Sequence, residues 1–133
     1  MAAAPPLQLQ TIDPAGMLDS KPLFSHVTTA SGDMKLVFVA GQVGMDEHGN
    51  VADTYEGQVA QTVKNIGRCL AAAGARVTDI VKINYYIVNY DPNNRPHVPI
   101  VLNFFNGHRA STMLVPVVCL AKPELLFEMD APR

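Results

Sequence analysis

The side chains of this sequence that can move a proton near neutral pH are few, and their spacing limits what they can do together. The histidines at 26, 48, 97 and 108 form no HxxxH or HxH pair, and Cys69 and Cys119 form no CxxC. Such spacing argues against a zinc site or a disulfide framework and suits a reducing compartment, so we expect no metal. Glu128 lies in the run Leu125 to Asp130, whose other members are largely apolar. A carboxylate facing a dry cleft there would titrate above its usual range and could act as a general acid or base. Alternation along a strand also places Glu128 and Asp130 on one face, which equally suits two carboxylates in water. His26 and His97 could each supply an acid or base titrating near neutrality, and Gln42 a ligand contact. His48 falls in the turn Asp46 to Asn50 and reads as solvated. Cys119, in Pro116 to Leu120, reads as a small buried apolar residue, with no sequence neighbour that clearly lowers its thiol pKa.

These groups are positioned by 133 residues, a length that fits a single domain over 1–133, with residues 1–7 a loose Ala/Pro-rich lead. Hydrophobic residues at 48% against 17% charged are enough to bury a core, so disorder is excluded. No apolar run approaches the roughly 18 residues of a membrane span, and the N-terminus lacks a signal-peptide pattern. A cytoplasmic location with no membrane partner is the expectation. The formal net charge is −2, with no Lys/Arg cluster, so the electrostatic term that dominates nucleic-acid binding is missing and no nucleic-acid partner is expected.

Along the chain, Leu7 to Thr11 alternates briefly and Lys35 to Ala40 is a stronger strand that stops at Gly41. Val59, Val63, Ile66 and Leu70 then recur at helical spacing, with Thr54 or Asp53 as N-cap and Gly74 as stop. Thr78 to Asn89 alternates, with Val81, Ile83, Tyr85 and Ile87 on one face and Lys82, Asn84 and Tyr86 on the other. Asn93 or Asn94 could cap a second helix, which Val101, Leu102, Phe104 and Phe105 give an apolar face and Asn106-Gly107 ends. Thr112 to Leu120 and Leu125 to Ala131 read as closing strands. This order predicts an α+β fold, two helices on one face of a mixed sheet, with the open face suited to covering by oligomerisation.

The segments Val37-Phe-Val-Ala-Gly-Gln-Val-Gly44, Gln61-Thr-Val-Lys-Asn-Ile-Gly67, Ala71-Ala-Ala-Gly74, Asp79-Ile-Val-Lys-Ile83 and Leu126-Phe-Glu-Met-Asp-Ala131, with the turn at 46–50, resemble the Rid family, also called YjgF or L-PSP. The resemblance runs through about residues 20–131. It implies a chorismate-mutase-like fold, a homotrimer with ligand clefts at its interfaces, and hydrolysis of enamine or imine intermediates without a cofactor. It also implies a cleft built from an arginine for the substrate carboxylate, a glutamate, a tyrosine, a serine and an asparagine. In this sequence the arginine's place falls on Thr112, the tyrosine's on Phe24, the serine's on Ala40 and the asparagine's on about Val98, while the glutamate is kept as Glu128. Arg109 lies close to the arginine's place but would need an insertion to reach it.

Each of these replacements removes a polar handle, so the cleft suits a less polar ligand than a short imino acid. The expectation is a cofactor-free enzyme doing tautomerisation, cyclisation or hydrolysis on an enamine, imine or enol. Glu128 would be the main proton-transfer group, with His26 or His97 as its partner. The alternatives are a 2-imino acid deaminase in which Arg109 reaches the carboxylate, and a ligand-binding or chaperone-like trimer without turnover. The ribonuclease label carried by some proteins of this scaffold gets little support from the charge.

Overall fold

The helical stripe Val59, Val63, Ile66 and Leu70 is buried along one face of an 18-residue helix in the computed structural model, which describes residues 5–132. The element order is β1 (Gln8–Ile12), β2 (Val27–Ser31), β3 (Phe38–Val43), α1 (Tyr55–Ala72), a 3-10 turn (Val77–Asp79), β4 (Lys82–Val88), α2 (His97–Phe105), β5 (Ser111–Val117) and β6 (Phe127–Pro132). Of the expected loose lead, residues 1–4 lie outside the described residues and 5–7 carry no regular structure. No helix among the described residues is long and apolar enough to cross a membrane.

Four strands form a mixed sheet in the order β3-β6-β4-β5, with β3–β6 and β6–β4 antiparallel and β4–β5 parallel. The parallel pair needs a crossover, and α2 supplies it. Both helices pack on one face, so the fold is α+β as the sequence predicts. On that face Ile83, Tyr85 and Ile87 of β4 meet Phe127, Met129 and Ala131 of β6, the α1 stripe, and Val101 and Phe105 of α2. Alternation sends Asn84, Tyr86, Glu128 and Asp130 to the other face, where they are half-buried. Removing Ile66, fully buried at the centre of the stripe, would cost roughly 2–5 kcal/mol as Ile→Ala.

The sequence reading needs correction in several places. β2 is not anticipated: it reads Val-Thr-Thr-Ala-Ser, with no apolar alternation, and only Thr28 is partly buried. Pairing with β1 and two bonds from the Thr28 hydroxyl, to the Val81 carbonyl (2.6 Å) and Ser111 Oγ (3.1 Å), hold it instead. β3 does not stop at Gly41 but runs through it on a register shift between Val39 and Gln42. The strand expected from Thr78 starts at Lys82, because Asp79 accepts from the Arg76 N–H (2.8 Å) and closes the 3-10 turn. Neither Asn93 nor Asn94 caps α2: Pro96 holds that position, and Asn94 closes a turn onto Asp91. Cys119 is exposed rather than buried, since β5 ends at Val117 and the chain leaves the sheet at Val118, itself 96% exposed. Thr54 is the N-cap of α1, its hydroxyl accepting from the Gly57 N–H at 3.0 Å.

Candidate functional site

A cleft of about 310 Å³ opens between α2, β5 and the loop that joins β1 to β2. The loop contributes Leu23 and Phe24, β5 contributes Thr112 and Leu114, and β4 contributes Tyr85. The first turn of α2 places His97 and Val98 on its wall, and Val101 and Leu102 follow one turn later. Arg95, two residues before the helix, completes it. The structure therefore brings together Phe24, His97, Val98 and Thr112, which lie far apart in sequence.

His97 is 3% exposed, with its ring centroid 5.8 Å from that of Phe127 and 5.9 Å from that of Tyr85. Burial first, and the Arg95 charge second, push its pKa down to about 4, so the imidazole is neutral at pH 7. Its Nδ1 is buried without a hydrogen-bond partner among the described residues, and so is Nε of Arg95. No carboxylate among the described residues pairs with Arg95. Leaving one buried polar atom unsatisfied costs about 1–3 kcal/mol, and the two residues that carry these atoms line one cleft. Tyr85, also in this wall, has its hydroxyl pKa raised by burial, so it too is neutral. His97 also lines a second cleft of about 300 Å³, together with Tyr55, Glu56 and Asp91.

Arg109 is placed differently. Its guanidinium donates to Asp13 Oδ2 at 2.8 Å and to the Phe24 carbonyl at 2.9 Å, with a longer contact to Ser20 Oγ at 3.4 Å. Asp13 in turn accepts from the His26 N–H at 3.0 Å; that bond first, and Arg109 second, hold its carboxyl below the usual range. The His26 ring bonds the Leu18 carbonyl at 2.7 Å and stacks edge-on against Phe24 at 5.3 Å. Arg109 and His26 thus brace the loop that presents Phe24, and neither lines the cleft.

Glu128 stands on the opposite face of the sheet from His97, so within one chain the two do not form an acid/base pair. It lies across from Val43 on β3 and Tyr86 on β4. Burial, and then the neighbouring Asp130, raise its pKa. Asp130 accepts from Asn84 Nδ2 at 2.8 Å. Ala40, exposed, and Gln42, whose amide turns back to the Ala40 carbonyl at 3.2 Å, share the β3 edge beside Glu128. The expected cleft residues therefore fall into two groups, one at β5 and α2, the other at β3 and β6.

Arg95 and Tyr85 are the functional candidates that sequence reasoning misses. Tyr85 reads only as a strand residue, and Arg95 sits in a polar turn where a solvated cation is the ordinary expectation. The one available signal is Arg95-Pro96 directly ahead of the helix that carries His97. Among the described residues, no three His, Cys, Asp or Glu side chains gather as a metal site would require.

Residues 18–132 match the family model described as Endoribonuclease L-PSP. A curated relative, the RutC family protein YjgH of Escherichia coli, is 38% identical over 65 residues, a stretch that spans 49% of this chain and 47% of the relative. The crystal structure of YyfB from Yersinia pestis, a Rid family protein of unknown function, has a TM-score of 0.86 at 30% identity over 93% of this chain and 96% of that one. E. coli TdcF with bound serine has a TM-score of 0.64 at 26% identity, over 73% of this chain and 78% of that one.

Proposed function

The chain belongs to the Rid/YjgF/L-PSP family, and on that premise we propose that it is a cofactor-free enzyme moving protons on an enamine, imine or enol held in the cleft between α2 and β5. The observation that carries this is His97, a neutral imidazole with one nitrogen unpartnered in the cleft wall. A neutral ring can accept a proton at one nitrogen while donating from the other, the property a tautomerisation needs. In the enamine case a proton leaves nitrogen and one is gained at carbon, giving the imine. Water then adds to the imine carbon, and loss of ammonia from that adduct leaves the carbonyl. Tyr85 and Thr112 supply hydroxyls to the oxygen or nitrogen that changes charge along this path.

In this scheme Glu128 acts across a subunit boundary. β5 is one edge of the sheet and β3 the other, so setting the β5 edge of one copy against the β3 edge of the next carries Glu128, Ala40 and Gln42 towards a neighbour's cleft. Head-to-tail contacts of this kind close into a ring when the rotation between copies divides the full circle, and a homotrimer, with a rotation of one third, is our proposed assembly. Phe38 at 72% and Met113 at 57% exposed give that assembly apolar surface to cover. The free thiols of Cys69 and Cys119 suit a reducing compartment, and we place the protein in the cytoplasm.

Deamination of a 2-imino acid is the member of this reaction class that is simplest to test. The 2-imino acid is generated continuously from leucine by an amino-acid oxidase, and ammonia release is followed with and without the protein. Acceleration by the wild type, lost in His97→Gln, is the expected result. Acceleration that survives His97→Gln would remove His97 from the chemistry. Saturable binding without turnover would make this a ligand-binding module instead.

A further inference from the structure

We infer that Arg95 is the anion anchor of the cleft, and that the ligand it selects is a singly charged carboxylate carrying an apolar body. The inference rests on the functional reading above and gives its substrate class. Arg95 is the one Lys or Arg among the residues lining the cleft, and its buried Nε has no partner among the described residues. The other cationic candidate, Arg109, has its guanidinium held by Asp13 and the Phe24 carbonyl. Thr112, at the strand position where the resemblance implies an arginine, brings no charge.

A guanidinium held in a partly dry wall is matched best by a carboxylate, which accepts two parallel N–H bonds from it. Arg95 lines the same cleft as His97 and Tyr85, and its charge is felt at both. A carboxylate on Arg95 therefore sets the adjoining carbon atoms beside the imidazole and the phenol. The rest of the wall is largely apolar: Leu23, Phe24, Leu102 and their neighbours reward an aliphatic or aromatic group, and no second cation lines the cleft to meet a second negative charge. A dianion or a short polar imino acid would leave either its charge or this wall uncompensated.

The test uses 4-methyl-2-oxopentanoate and its neutral methyl ester as probes of the full-length protein, with affinity measured by calorimetry or NMR titration. The wild type binds the acid at least about tenfold more tightly than the ester. Arg95→Gln lowers acid affinity by roughly 10- to 100-fold and leaves the ester unchanged. Arg95→Lys, which keeps the charge but not the fork, retains part of the preference. Equal binding of acid and ester, an acid affinity unchanged in Arg95→Gln, or no saturable binding of either probe would each overturn the inference. Ammonia release on the same variants separates this inference from the reading beneath it. Turnover undiminished in Arg95→Gln removes the anchor and keeps the enzyme. An Arg95-dependent preference for the acid in a wild type that does not accelerate the reaction keeps the anchor and removes the enzyme.

Discussion

Burial separates His97 from the other histidines: His48 is exposed, while His26 and His108 have ring nitrogens bonded to backbone carbonyls. With its folded pKa near 4 and an unfolded value near 6.5, the unfolded chain binds more protons than the folded one between those limits. Stability is therefore full above about pH 6.5 and falls as pH drops towards 4, by up to about 3 kcal/mol from this group. Denaturant titrations at pH 7, 5.5 and 4 should show that loss in the wild type and a smaller one in His97→Gln. Glu128, whose pKa is raised, contributes in the opposite sense on acidification, so the difference between the two proteins is the informative quantity. In kinetics the same shift predicts an acid limb near pH 4 rather than 6.5 if neutral His97 is the working form. An acid limb at 6.5 that disappears in His97→Gln would contradict the burial argument.

Two glycines, one in β3 and one just after its end, show how an element sets the site. A Cβ at Gly41 would lie 2.6 Å from Oε1 of Glu128, the far end of a half-buried side chain, whereas one at Gly44 would lie 2.4 Å from the Cα of Gln58 in α1. The carboxylate can swing aside and the helix backbone cannot. Gly41→Ala should therefore cost less than about 1 kcal/mol while moving the Glu128 titration, and Gly44→Ala should cost more, about 1–3 kcal/mol or beyond. Thermal melts and carboxyl NMR titrations of the two variants check this. The loop from Asp13 to His26 makes a second case. Arg109→Ala should speed amide exchange and proteolysis in that loop, and weaken ligand binding only through the displaced Phe24. Loss of binding with the loop still protected would instead make Arg109 a ligand contact. The sequence makes these elements unequally legible. α1 and β4 announce themselves because their buried faces repeat at the period of the element. β2 does not, because bonds from Thr28 hold it rather than apolar burial, and the shift at Gly41 arises from a partner strand 87 residues further on.

For the whole molecule, the α+β architecture was legible because both helices and three of the sheet strands carry clear apolar patterns, and because motifs along most of the chain resemble one family. The site was only partly legible. Phe24, Val98 and Thr112 could be placed by position and His97 by residue type, but the separation of Glu128 from His97 by the thickness of the sheet follows from alternation in three dimensions. Arg95 was invisible because a turn arginine becomes a site residue only when the strands and helix around it close a cleft. The division of the expected residues between β5 and β3 makes assembly a prediction. Sedimentation should give a trimer, and charge on the open face, as in Met113→Lys, should dissociate it and lower activity together. A fully active monomer would place all the chemistry within one chain. The most direct test of the central claim, proton transfer at the α2–β5 cleft, is deuterium incorporation at C3 of 4-methyl-2-oxopentanoate in heavy water, followed by NMR. Exchange accelerated by the wild type and reduced about 100-fold or more in a folded His97→Gln variant is the predicted result. Exchange no faster than in buffer, or equally fast in His97→Gln, would contradict it.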